Sequence, residues 1–149
     1  MNILVIDGQG GKLGCQMVRS IAEKYPGARL MAVGTNSAAA AAMAKAGAHQ
    51  AAAGENPLIV ACRKADIIIG PIGIVIADSL FGEITPAMAV AVAQSDAVRI
   101  LLPVNRCGNI VAGVQELSLT ALISDAMAKL EGVMQEQNVS CQPTAFRVQ

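Results

Sequence analysis

The chain has 149 residues, 54% of them apolar and 15% charged, with a formal net charge of zero. It is long enough for one substantial core and too short for a nucleotide-binding domain plus a separate catalytic one. The charge balance leaves no electrostatic footprint for nucleic acid, and two Phe, one Tyr and no Trp leave no stacking platform for single strands.

The charged fraction lies below the roughly 25% of ordinary domains, so apolar surface remains after the core is filled. The near-apolar stretch over 67–77 is interrupted by Gly70, Pro71 and Gly73 and is too short to span a membrane. A second copy of the chain is the simpler sink for that surface, and a homo-oligomer is expected. The chain opens on a strand pattern without a basic leader, so a cytoplasmic location is expected. Four widely spaced cysteines without a CxxC pair and a single His argue against zinc and disulfide frameworks, and no metal is expected.

The first predicted element is a strand, Asn2–Asp7, ending in Gly8, Gly10, Gly11 and Gly14. Leu13, Met17, Val18 and Ile21 then recur at helical spacing until Pro26-Gly27. Leu30–Val33 is a second strand, and Gly34-Thr35-Asn36-Ser37 caps an alanine-rich helix over Ala38–Ala46. His49–Ala53 is a weak third strand. Asn56-Pro57 is an N-cap and first-turn proline for a helix to about Lys64. Asp66–Ile69 is a buried strand that stops at Gly70-Pro71. Residues 72–84 allow either a strand at Ile74–Ile76 or a short helix or ordered loop over Asp78–Glu83. Thr85-Pro86 caps a helix to about Gln94, followed by strands at Val98–Leu102 and Ile110–Val114. Ser118 opens a last helix whose apolar stripe includes Leu119, Leu122, Ile123, Ala126, Leu130 and Val133. Residues 1–136 form the domain, and 137–149 are a C-terminal tail, either mobile or an arm onto a neighbour.

The alternation predicts an α/β fold: a doubly wound, mostly parallel, Rossmann-like sheet in the order 3-2-1-4-5-6. Ligands in such sheets bind at the carboxyl ends of the strands, where the loops 8–14, 34–37 and 70–74 converge, with 103–109 at the far side.

Gly8, Gln9, Gly10, Gly11, Lys12, Leu13 and Gly14 are the candidate phosphate cradle. The strict G-x-G-x-x-G spacing fails by one residue, but Gly8-x-x-Gly11-x-x-Gly14 is a known dinucleotide-loop variant. Locally it resembles the opening of dihydrodipicolinate reductase, with Lys12 where that family has arginine. The alternative is a tight turn that needs glycines for geometry alone. Asp7 would repel a close pyrophosphate; it binds a ribose hydroxyl, a metal on the ligand or, more in keeping with Asp in turns, the loop amides. Thr35, Asn36 and Ser37 replace the acid that usually reads an NAD ribose, which favours NADP mildly over NAD; ordinary helix capping explains the same residues. Gly70, Pro71, Ile72 and Gly73 bring backbone near a nicotinamide or form a sharp turn. Asn105, Arg106 and Cys107 are the candidates for chemistry, although no base is evident, and a buried inert cysteine is the commoner outcome. His49 reads as a satisfied or exposed histidine, and Asp78 and Glu83 have no motif that pairs them.

Ile6–Gly11, Gly34–Ser37, Gly54–Asn56, Gly70–Gly73, Gly82–Pro86 and Asn105–Cys107 together resemble a small bacterial family catalogued as a domain of unknown function, known mainly from anaerobic Gram-positive bacteria. The likeness covers about residues 1–130. It implies a Rossmann-like domain and assigns no activity. Cys15 stands where such chains more often carry a basic residue, which removes one phosphate contact. Binding of a (di)nucleotide or phosphate-bearing small molecule is the leading expectation. An NAD(P)-dependent oxidoreductase and a ligand-free scaffold for oligomer or partner binding are the alternatives.

Overall fold

A computed structural model describes residues 1–104 and 108–140. Five parallel strands form one sheet in the order β3-β2-β1-β4-β5: β1 Asn2–Asp7, β2 Arg29–Gly34, β3 Gln50–Ala53, β4 Ile67–Pro71 and β5 Val98–Leu102. Between and after them lie α1 Lys12–Lys24, α2 Ser37–Ala46, α3 Glu55–Cys62, α4 Pro86–Gln94 and α5 Leu119–Ser140.

The strand alternation divides the core in two. Ile3, Val5, Ile67 and Ile69 pack with α1, α2 and α5 on one face. Leu4, Ile6 and Ile68 pack with α3 and α4 on the other. β1 and β4 are covered on both faces, which is why they read as unbroken apolar runs. β3 is a fully exposed edge, as its alanine-rich sequence suggests. No helix among the described residues is long and apolar enough to cross a membrane.

The structure departs from several of these expectations and settles one open alternative. Ile110–Val114 is not a strand, so the order ends at β5. Gly108 and Gly113, with φ of 79° and 78°, bracket the run with turns, and Ile110 is 94% exposed. α3 begins at Glu55 with Gly54 as its cap, ahead of the predicted Asn56-Pro57 start. The Gly54 amide donates to the Gly34 carbonyl at 2.9 Å, and this tertiary bond sets the helix start. β4 runs through Gly70 and Pro71, pairing them with Leu101 and Leu102. Helix α5 continues to Ser140, past the point where the apolar period fades. The segment 72–84 contains no strand: a 3₁₀ turn at Ile72–Val75 is followed by a string of tight turns.

Candidate functional site

Strand β1 ends in a buried acid. Asp7 is 3% exposed, and its two carboxylate oxygens accept from the Gly8 amide at 2.8 Å and the Gly14 amide at 2.7 Å. It thereby ties together the first and last glycines of the loop. A side chain at Gly14 would meet the Asp7 Cβ at 2.7 Å and the Met43 Sδ at 2.6 Å, so the close approach requires glycine. The Gly11 amide closes the turn onto the Gly8 carbonyl at 2.9 Å, and Gly11 itself is left-handed at the helix N-cap. Burial raises the Asp7 pKa above 3.8 and the charge of Glu83 adds to the rise, while the Gly14, Gly8 and Leu13 amides oppose it. Of the three roles open to Asp7 in the sequence, capping of the loop amides is the one these bonds show.

The loop therefore has two sets of amides. The inner set, Gly8 and Gly14, is taken by Asp7. The outer rim is Gln9, Gly10 and Lys12, all exposed. Gln9 donates to Glu83 Oε2 at 2.7 Å. The Gly10 and Lys12 amides have no hydrogen-bond acceptor among the described residues.

Glu83 arrives on a strap that joins the 3₁₀ turn to α4. Its Ser79 and Leu80 are buried, and the Ser79 hydroxyl donates to the Gly73 carbonyl. Asp78, Leu80 and Phe81 have φ of 63°, 55° and 57°, and Gly82 follows at 84°. Three consecutive left-handed residues are rare, at about 1–2 kcal/mol for each that carries a side chain, and such strain concentrates at functional segments. The Asp78 amide bonds the Ile84 carbonyl at 2.8 Å, which closes the strap on itself. Phe81 is fully exposed at its apex.

From this strap the Glu83 carboxylate reaches across the ends of β1 and β2. Its Oε1 accepts from Asn36 Nδ2 at 2.6 Å. Asn36 Nδ2 also donates to the Gln9 carbonyl at 2.9 Å, while its Oδ1 caps α2 through the Ala39 amide at 2.8 Å. The space for this cluster exists because residue 8 is glycine: a Cβ there would lie 2.6 Å from Thr35 Oγ1 and 2.9 Å from Glu83 Oε2. Thr35 Oγ1 is itself buried and has no hydrogen-bond partner among the described residues.

The structure thus joins two of the predicted loops, 8–14 and 34–37, through a residue that sequence reasoning left unassigned. Ser37 is exposed at the start of α2, beside the half-buried Thr35 and Asn36. The third predicted loop is different. Gly70, Pro71 and Gly73 are buried and Ile72 is half-buried. A Cβ on Gly70 would lie 2.5 Å from the Ile6 carbonyl oxygen, so this glycine serves the packing of β4 on β1. Asn105, Arg106 and Cys107 lie outside the described residues.

Two other reactive groups among the described residues are engaged by the fold. His49 Nδ1 accepts from the Leu30 amide at 3.1 Å. Burial pushes the Cys62 thiol up to about 11. Among the described residues no group of three or more His, Cys, Asp or Glu could hold a metal ion. A groove of about 510 Å³ between α3 and α4, bordered by Ile59, Val90 and Ala91, shares no residue with the glycine loop.

The chain belongs to the family described as Domain of unknown function (DUF3842), whose model matches residues 2–135. No curated protein matches it.

Proposed function

We propose that this member of the DUF3842 family binds a nucleotide, with a phosphate on the outer rim of the glycine loop. One observation carries the reading: Asp7 takes the inner amides, while Gly10 and Lys12 are exposed residues whose amides have no acceptor among the described residues, at the N-terminus of the 13-residue helix α1. Backbone amides at such a terminus favour an anion, and the exposed Lys12 side chain supplies a full positive charge beside them. The topology supports it. The β1–α1 connection leads to β2 on one side of β1, and the crossover through α3 leads to β4 on the other, so the loop stands at a switch point. The unpartnered Thr35 hydroxyl lies just behind it.

Catalysis is not part of the proposal. His49 is committed to the Leu30 amide and the Cys62 thiol is held protonated by burial, so neither supplies a base or nucleophile.

The test is a ligand panel of NAD(H), NADP(H), FAD, ATP, AMP and coenzyme A, read by thermal shift on wild type and Gly10→Asp. A ligand at about 100 times its Kd adds roughly 2.7 kcal/mol, or roughly 5–10 °C for a domain of this size. A side chain at Gly10 meets nothing within 4 Å, so the variant keeps the fold while placing a carboxylate on the phosphate seat. The expected result is a nucleotide-dependent rise in wild type that Gly10→Asp abolishes, with the ligand-free midpoint unchanged. An equal rise in both proteins contradicts the site.

A further inference from the structure

We infer that Glu83 is the acid that reads the ribose of the bound nucleotide, selecting a free 2′,3′-diol over a 2′-phosphate. The inference rests on the nucleotide reading above and names the ligand class for that same site.

In dinucleotide-binding sheets an acid about 20 residues past the glycine loop, at the end of the second strand, accepts hydrogen bonds from the ribose hydroxyls. In this chain that stretch is Gly34-Thr35-Asn36-Ser37 and contains no acid. The place itself is nonetheless occupied by a carboxylate. Glu83 sets one oxygen 2.7 Å from the Gln9 amide in the first glycine turn and the other 2.6 Å from Asn36 Nδ2, just past the end of β2. The two strand ends are already joined there, because the Thr35 amide donates to the Asp7 carbonyl at 3.0 Å. The acid has been supplied from the connection between β4 and α4, on the other side of β1.

Two properties fit a diol. An ionised carboxylate offers about four acceptor sites, and two donors occupy Glu83, so it can accept from two hydroxyls without giving up Gln9 or Asn36. Glu83 is half-buried and its bonding partner Gln9 is exposed, so the cluster lies at the surface of the strand ends. A 2′-phosphate at the same place would bring its negative charge against Glu83, with Asp7 behind it. Discrimination of this kind works by repulsion of the wrong ligand as much as by attraction of the right one. The left-handed turn Leu80–Gly82 immediately precedes Glu83 and sets the direction from which it enters. This reverses the mild preference for NADP that the acid-free 34–37 stretch expresses.

The experiment is calorimetric titration of the full chain with NAD⁺ and with NADP⁺, for wild type, Glu83→Gln and Gly10→Asp. Wild type is expected to bind NAD⁺ at least about tenfold more tightly than NADP⁺, as charge-assisted bonds to the diol are exchanged for like-charge repulsion. Glu83→Gln keeps the size and one acceptor oxygen but removes the charge, and the ratio should fall to within about threefold. The wild-type ratio needs no variant, so it decides the matter even if Glu83→Gln folds poorly. Equal binding of the two, or tighter binding of NADP⁺, overturns the role of Glu83 while the nucleotide site stands, provided Gly10→Asp abolishes the binding. No binding of either nucleotide overturns the site, and the inference with it. A folded Glu83→Gln that retains the full preference also overturns the role of Glu83.

Discussion

Asp7→Ala is expected to lower stability by about 2–4 kcal/mol near neutral pH, because the buried Gly8 and Gly14 amides lose their acceptor and each unsatisfied donor costs about 1–3 kcal/mol. Urea unfolding measures this directly, and a loss below about 1 kcal/mol would show that Asp7 does not brace the loop. The pH dependence has a definite sign. Burial and Glu83 raise the Asp7 pKa above 3.8, so the folded protein holds this proton more tightly than the unfolded chain. The associated stability is full below 3.8 and is lost as pH rises through the raised value. Wild type should therefore gain on Asp7→Asn as pH falls through the carboxylate range. A loss in that direction would mean that the amide bonds outweigh desolvation.

Gly70→Ala is expected to cost about 3 kcal/mol, at the upper end for an overpacked core, since the new methyl would lie 2.5 Å from the Ile6 carbonyl oxygen. That oxygen is backbone of the neighbouring central strand and cannot rotate away. The second contact, Ile74 Cδ1 at 2.9 Å, is the end of a flexible side chain and can yield. The sequence offers Gly70 as either a nicotinamide contact or a sharp turn; its place inside β4 predicts a stability defect with unchanged nucleotide affinity in the protein that remains folded. Denaturant midpoints and calorimetry on the same sample separate the two. Lost affinity with full stability would return Gly70 to the ligand.

Much of the fold was legible because its signals are local. Thr85-Pro86 announces α4, and the Thr85 hydroxyl does accept from the Met88 amide at 3.2 Å. Asn36 caps α2, and Val98–Leu102 forms β5 with the predicted bounds. The misreadings arise where a distant contact decides. Asn56-Pro57 has the chemistry of a helix start, yet the bond from the Gly54 amide to Gly34 moves the start earlier. Ile110–Val114 has strand composition but pairs with no strand among the described residues, and its bracketing glycines turn the chain.

The site divides in the same manner. The glycine spacing and the small residues at 34–37 are local patterns and are legible in the sequence. An ordered loop over Asp78–Glu83 was one of the readings open there, but its path was not legible, because Leu80 and Phe81 are left-handed without being glycine and nothing in their side chains announces it. Ser79 and Leu80 anchor the strap by burial, which only the assembled core provides. Glu83 lies 74 residues from Gln9 and 47 from Asn36, distances over which no periodic pattern carries information. A lone acid between Gly82 and Thr85-Pro86 looks like any surface glutamate until the sheet brings the strand ends together.

The most direct measurement is a backbone-amide NMR titration of the full chain with NAD⁺. Saturable shifts are expected at the Gly10 and Lys12 amides, with Gln9 and Asn36 Nδ2 following, and little change at Gly14, whose amide Asp7 already holds. Shifts confined to the α3–α4 groove around Val90 and Ala91, or none at Gly10 and Lys12 under saturating nucleotide, would contradict the site.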